Sequence, residues 1–288
     1  MTDYVFQPIP ISYTGLFADA HYVEAQEFGK SIAGVSKTAN SICHLLFFGT
    51  VTADTKKYQI RFFVGPSKEN GLLQELFALM NTGMMPMFSP VLTKVAKVFI
   101  ERAFDAVVKA VLNRPSEMKA ALDILHDTIK RHDEFAKQVH AGQMKDKAWM
   151  QDMIGVLVNQ NRSALREIPA PVGKSVRKIQ IGTKQNGPAI DEPVAEVLRA
   201  KDGLTLGDVQ QFDVTVEGVF KTNGACRLRI AGQDRIVSGK ITDPALDRAG
   251  NVYTTALNAG LPLHVTAKPT LKDGRLHTLF VSDAKLAK

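Results

Sequence analysis

Few residues in this 288-residue chain have both the type and the spacing to do acid–base, nucleophilic or metal chemistry. Asp19 and His21 stand two apart at the expected start of a helix, and His44 lies near its far end. A two-residue offset puts side chains on different helical faces, so Asp19 reads as a cap and His21 as a surface residue. Cys43 and His44 are chain neighbours that point apart on a helix, which removes them as a nucleophile–base pair. His126, His132 and His140 sit beside Asp133 and Glu134 at separations of six and eight, whereas helical metal pairs use i, i+4. His126 reads as part of a solvated face. Neither cysteine lies in a C-x-x-C, and no phosphate-binding G-x-x-x-x-G-K-[ST] loop or G-x-S-x-G elbow is present. The sequence therefore assigns no catalytic residue, no metal and no cofactor. An enzyme, for instance a nuclease built on Asp19, His21 and acids from elsewhere, is the weakest of the readings.

Basic side chains carry more information. Residues 162–184 hold Arg162, Arg166, Lys174, Arg177, Lys178 and Lys184 against one acid, Glu167. From Lys268 onward come Lys268, Lys272, Arg275, Lys285 and Lys288 against Asp273 and Asp283. Arg227 and Arg229 alternate on one expected strand and so share a face. Concentrated positive charge attracts a polyanion without base-specific contacts. The predicted nucleic-acid contacts are Lys174, Arg177, Lys178, Lys184, Arg227, Arg229, Lys268, Lys272 and Arg275, with Arg235 and Lys240 nearby. Phe212, Phe220, Tyr253 and Phe280 are the aromatics of this region, and the phenylalanines read as inward-facing. That favours a phosphate-tracking surface over a stacking platform.

The elements that must position these residues follow from periodicity. A helix is expected over Asp19–Phe48, capped by Asp19 and closed by Gly49, with apolar residues at the 3.6 period. Gly29 and Gly34 are tolerable there if another element packs closely. Before it, Tyr4–Phe6 and Ile9–Tyr13 read as short strands broken by Pro8 and Pro10, an edge or an interrupted strand. Tyr58–Val64 is a strand, Asn70-Gly71 a hairpin turn, and Leu72–Met80 either strand or helix. Met80, Met84, Met85 and Met87 read as an irregular core plug or an adaptable apolar surface. Helices are expected over Pro90–Leu112, Ser116–His140 and Lys145–Arg166, the last two forming a polar hairpin that projects and serves self-association through residues 116–166. The mixed charge on these helices excludes a membrane span.

Prolines and glycines from Ile168 onward suggest an interdomain linker, followed by a short helix over Glu192–Ala200. Strands at 212–220, 226–230, 235–241, 261–267 and 276–281, with a helix at 253–259, suggest a small β-barrel of OB or SH3 type. The fold class is thus α+β: an α/β and helical domain over 1–167, a basic Pro/Gly-rich linker over 168–203, and a barrel over 204–288. Two distant cysteines in apolar surroundings and the lack of a secretion signal point to free thiols in a cytoplasmic protein.

Tyr4-Val5-Phe6 through Gly15, Ala18–His21 into the helix, then Gly34 and His44–Gly49 resemble uncharacterised proteins of bacterial mobile elements and phages. In that group an α/β part precedes a small β-domain, which implies a setting of phage and host conflict and supplies no activity. Two functional readings follow. One is a non-catalytic binding protein that engages nucleic acid, or a nucleic-acid-associated complex, through linker and barrel. The other is a protein-interaction module, an inhibitor or subunit of a defence assembly, that makes no nucleic-acid contact.

Overall fold

The structure, a computed structural model, describes residues 7–52, 54, 56, 60–65, 72–80, 90–131, 146–201, 203–232, 235–272 and 274–287. The chain is α+β and divides into two compact units, Met1–Asp191 and Glu192–Lys288.

In the first unit a sheet of order β2-β3-β1-β4-β5 is made by β1 (Ile9–Thr14), β2 (Ile60–Val64), β3 (Leu72–Met80), β4 (Lys178–Ile181) and β5 (Ala189–Ile190), with every neighbouring pair antiparallel. The undecided 72–80 segment is therefore a strand. β1 is central and not an edge, although it contains Pro10. The Pro10 carbonyl accepts from Gly182 N at 2.7 Å, just past the last residue of β4. The missing proline N–H faces the same side, so it falls where the ladder has already stopped.

The described helices of this unit are α1 (Ala25–Phe48), α2 (Pro90–Val111), α3 (Pro115–Arg131), α4 (Lys147–Gln160) and α5 (Arg162–Glu167). α1 begins later than the sequence suggests. A short 3-10 turn spans Leu16–Ala20, and Glu24 caps α1 by accepting from Gln26 N (3.0 Å) and Glu27 N (2.7 Å). Asp19 instead accepts from Gly15 N at 2.7 Å. The far end agrees with expectation: Gly49 closes α1 at φ 69°. Tyr13 on β1 contacts Ser31 of α1 through their hydroxyls (3.1 Å), and Ser31 donates to the Ile168 carbonyl (2.6 Å), which fastens helix to sheet.

The apolar stripe of α2 is buried at Val95, Phe99, Phe104, Val107, Val108 and Val111. α3 packs on α2 through Leu122, Leu125 and Ile129, and α4 does so through Met150, Ile154 and Leu157. On α3, Ile124 remains 40% exposed. His126, expected in solvent, is buried at 5% exposure. The Tyr4–Phe6 strand, the Asn70-Gly71 turn, Met84–Met87, His132 and His140 lie outside the described residues.

The expected linker over 168–203 is folded. Its first part carries β4 and β5, and its end forms α6 (Glu192–Arg199) of the second unit. The prolines serve tight turns: the Pro171 carbonyl accepts from Lys174, Ser175 and Val176 N. Gly187 allows the next turn to close, since a Cβ there would sit 1.8 Å from the Ile181 carbonyl oxygen.

The second unit is a closed five-stranded barrel. β7 (Gln210–Val219), β8 (Ala225–Ile230), β9 (Ile236–Ile241), β10 (Pro262–Lys272) and β11 (Arg275–Leu286) run in ring order β7-β8-β9-β11-β10, and β10 closes onto β7. β9 and β11 are parallel, the other neighbours are antiparallel, and α7 (Val252–Ala259) lies between the third and fourth barrel strands. This Greek-key connectivity is that of an OB-fold and decides between the two barrel types considered. β6 (Leu204–Leu206) pairs with the end of β10, at Thr270–Lys272, beyond the stretch that pairs with β7. α6 lies on the outer surface, where Glu196 accepts from Thr270 Oγ1 (2.7 Å) and Thr278 Oγ1 (2.9 Å).

Both cysteines are free and buried. Burial pushes the Cys43 thiol well above its ordinary range and the Cys226 thiol up to about 12. No described helix is long and apolar enough to cross a membrane.

Candidate nucleic-acid interface

β8 alternates strictly. Cys226, Leu228 and Ile230 enter the barrel core, which leaves Arg227 and Arg229 on the outer surface. β9 does the same, with Val237 and Ile241 inward and Ile236, Ser238 and Lys240 outward. The register sets Arg227 opposite Ser238 and Arg229 opposite Ile236, so the four form one continuous surface. Arg229 donates from Nε to Glu217 Oε1 at 2.8 Å, with both side chains part-exposed. A pair in that setting contributes about 0–1 kcal/mol and can exchange its carboxylate for a phosphate.

Loops border this face at both ends. Beyond the start of β8 lies the β7–β8 loop with Phe220, 61% exposed, and exposed Lys221. Toward the start of β9 stand exposed Arg235 and the β10–β11 turn, bracketed by the paired and exposed Lys272 and Arg275. The parallel β9–β11 register, with Thr278 opposite Ser238, puts Arg275 level with the beginning of β9. Ile236, 45% exposed and opposite Arg229, adds an apolar contact to this face.

Phe220 corrects the inward reading of the phenylalanines. Val214 and Val216 point inward, and unbroken alternation would carry Phe220 inward as well. A bulge between Val216 and Gly218 shifts the register, so that Gly218 pairs with Arg227 and Val219 with Cys226. Val219 then packs on the core and Phe220 turns out. Gly218, an isolated glycine inside a strand pattern, was the readable sign of that bulge. The other aromatics do face inward or are covered: Phe212 packs on the core, Tyr253 is 1% exposed and Phe280 5%.

Two barrel cations stand apart. Lys240 is held by Glu192 of α6 at 2.5 Å. Lys268, half-buried and opposite Phe280, is separated from β8 by β7 and from β9 by β11.

The remaining predicted contacts belong to the first unit. Lys174, Arg177 and Lys178 gather around the β1–α1 loop: Lys178 pairs with Thr14, the stem of Arg177 lies over Gly15, and Lys174 reaches Glu27 at 3.0 Å. That hydrogen-bonded ammonium holds the Glu27 carboxyl below the usual carboxylate range. Lys184 sits in the turn after β4, at the opposite end of that strand from Lys178, and does not join them. The structure therefore collects the nine predicted residues into a barrel group (Arg227, Arg229, Lys272, Arg275) and a loop group (Lys174, Arg177, Lys178), with Lys184 and Lys268 outside both.

For the chemistry considered at Asp19, His21 and His44, the structure gives local roles. His21 is exposed at φ 64°, and His44 Nδ1 lies 3.0 Å from the Thr50 carbonyl with its ring on Phe48. Among the described residues, no group of three or more His, Cys, Asp or Glu is placed to hold a metal ion.

No curated protein matches the chain. A family model described as a domain of unknown function (DUF7946) matches residues 9–199, and one described as a family of unknown function (DUF7947) matches residues 208–285. The first ends with α6, which packs with the second compact unit, so family boundary and contact boundary differ by one helix. Since the first match spans about two thirds of its length, the chain belongs to the DUF7946 family, with a DUF7947 match over its barrel.

Proposed function

We propose that this is a non-catalytic binding protein whose C-terminal barrel takes single-stranded nucleic acid across the β8–β9 face. The observation that supports this most is the coincidence of three features on one surface. The barrel has OB connectivity, Arg227 and Arg229 project from the second barrel strand, and the loops flanking that face carry Phe220 at one end and Lys272 with Arg275 at the other. OB barrels present oligonucleotides to this face and to these two loops. Cations follow the phosphates while an exposed ring stacks on a base. We place the activity in phage or mobile-element conflict with a host, following the sequence resemblance.

Fluorescence anisotropy with a labelled single strand tests the proposal. Four phosphate contacts, each contributing about −0.7 to the salt slope, lower the affinity about 50-fold between about 50 and 200 mM salt. An unlabelled duplex of the same sequence should compete poorly, because its bases are not open to stacking. Absence of association at low salt would move the barrel to the protein-docking reading.

A further inference from the structure

The β1–α1 loop of the first unit displays two aromatic side chains that the barrel reading does not use. Phe17 is 64% exposed and Tyr22 71% exposed. They border a cavity of about 590 Å³ also lined by Val23, Gln26, Glu27 and Lys174. The backbone that presents them is held firmly. Leu16 (φ 57°) and His21 (φ 64°) bracket the turn in the left-handed region, where a leucine is strained. Ala18 N donates to the Ser175 carbonyl (3.2 Å), Tyr22 N to the Phe17 carbonyl (3.0 Å), and Gly15 N to Asp19.

Charge selects the occupant. Lys30, Lys174, Arg177 and Lys178 surround the loop, against Asp19, Glu24 and Glu27. Asp19 is engaged by Gly15 N and Glu24 by the first amides of α1, while Glu27 is paired with Lys30 and Lys174, which leaves Arg177 and Lys178 to set the sign of the rim. Lys178 is exposed at the start of β4. Two projecting rings beside a cationic rim match a base stacked on an aromatic with its phosphates on lysine.

We propose that this loop is a second nucleic-acid site, in which Phe17 and Tyr22 stack on unpaired bases and Lys178 meets the adjoining phosphate. The proposal rests on the single-strand reading of the chain and adds a contact that the barrel does not contain.

The test uses the full chain with the double variant Phe17→Ala/Tyr22→Ala and the conservative Phe17→Tyr/Tyr22→Phe. Because both rings are exposed, folding should be unaffected. Affinity for a single-stranded oligonucleotide should fall about 30-fold or more in the alanine variant, which loses two stacked bases, and stay near wild type in the aromatic one. An abasic oligophosphodiester of equal length should bind wild type and alanine variant alike. Unchanged affinity for the base-containing strand, or an equal loss on the abasic one, overturns the inference. A barrel charge-reversal variant measured in parallel separates the two claims. If it alone loses binding, the barrel reading stands and this site fails. If only the loop variant loses binding, the barrel reading fails and this site stands.

Discussion

Reversing three barrel cations at once, Arg227→Glu with Lys272→Glu and Arg275→Glu, is expected to lower single-strand affinity at least 100-fold at low salt and to flatten the salt dependence by about 2 log units per log unit. All three side chains are exposed, on the outer side of β8 and at the β10–β11 turn. Each replacement should therefore change stability by no more than about 0.5 kcal/mol. Lys184→Glu is the matched control, because that lysine stands in the turn after β4 and joins neither cationic group. It changes the net charge in the same direction yet should shift affinity less than 3-fold, a figure of roughly the size expected from weak long-range attraction alone. A loss in the control equal to one third of the triple variant's, on a logarithmic scale, would mean that overall charge and not the barrel face drives association.

Gly34→Ala carries the largest expected effect on stability. A Cβ at this position would lie 2.5 Å from the Ala164 carbonyl oxygen and 2.9 Å from Ile168 N. Both are backbone atoms, so the strain cannot be relieved by turning a side chain. α1 must move off α5, loosening the Ser31–Ile168 hydrogen bond that fastens helix to sheet. A cost of about 2–4 kcal/mol follows. Gly29 in the same helix meets nothing within 4 Å. Gly29→Ala should therefore stabilise by about 0.5–1 kcal/mol, the ordinary gain in a helix interior. Urea unfolding of the two variants side by side checks the opposite signs, and a Gly34→Ala protein as stable as wild type would refute the close crossing.

Those two glycines show where sequence reading succeeds and where it stops. The body of α1 and its closure at Gly49 are local facts, written in a 3.6-residue period and a residue that accepts a left-handed backbone. The barrel strands were equally legible, because alternation between Gly-containing turns is local too. The start of α1 was misplaced because Asp19 is a residue type that commonly caps helices, whereas the cap is Glu24. The choice depends on Ser175, which is distant in sequence but accepts from Ala18 N through its carbonyl and from Glu24 N through its hydroxyl. β4 was hidden for a related reason: it pairs with β1 across more than 160 residues, and its short run sits among prolines and glycines that locally resemble a linker.

At the candidate interface the pattern repeats. The outward pairing of Arg227 and Arg229 follows from strand parity alone. Phe220 was lost because one bulge reverses that parity. Tyr22 was taken as part of a helix that in fact starts at Ala25, and Phe17 lay just before its expected cap, so their exposure on a strained turn left no periodic trace.

Photo-crosslinking of the full chain to a single-stranded oligonucleotide carrying a reactive pyrimidine, with the joined peptides identified by mass spectrometry, addresses the barrel face directly. Crosslinks at Phe220–Lys221 and around Ile236 are the predicted result. Crosslinks confined to the α6-covered side of the barrel, near Lys240 and Lys268, or a barrel that captures no strand at all, would contradict it.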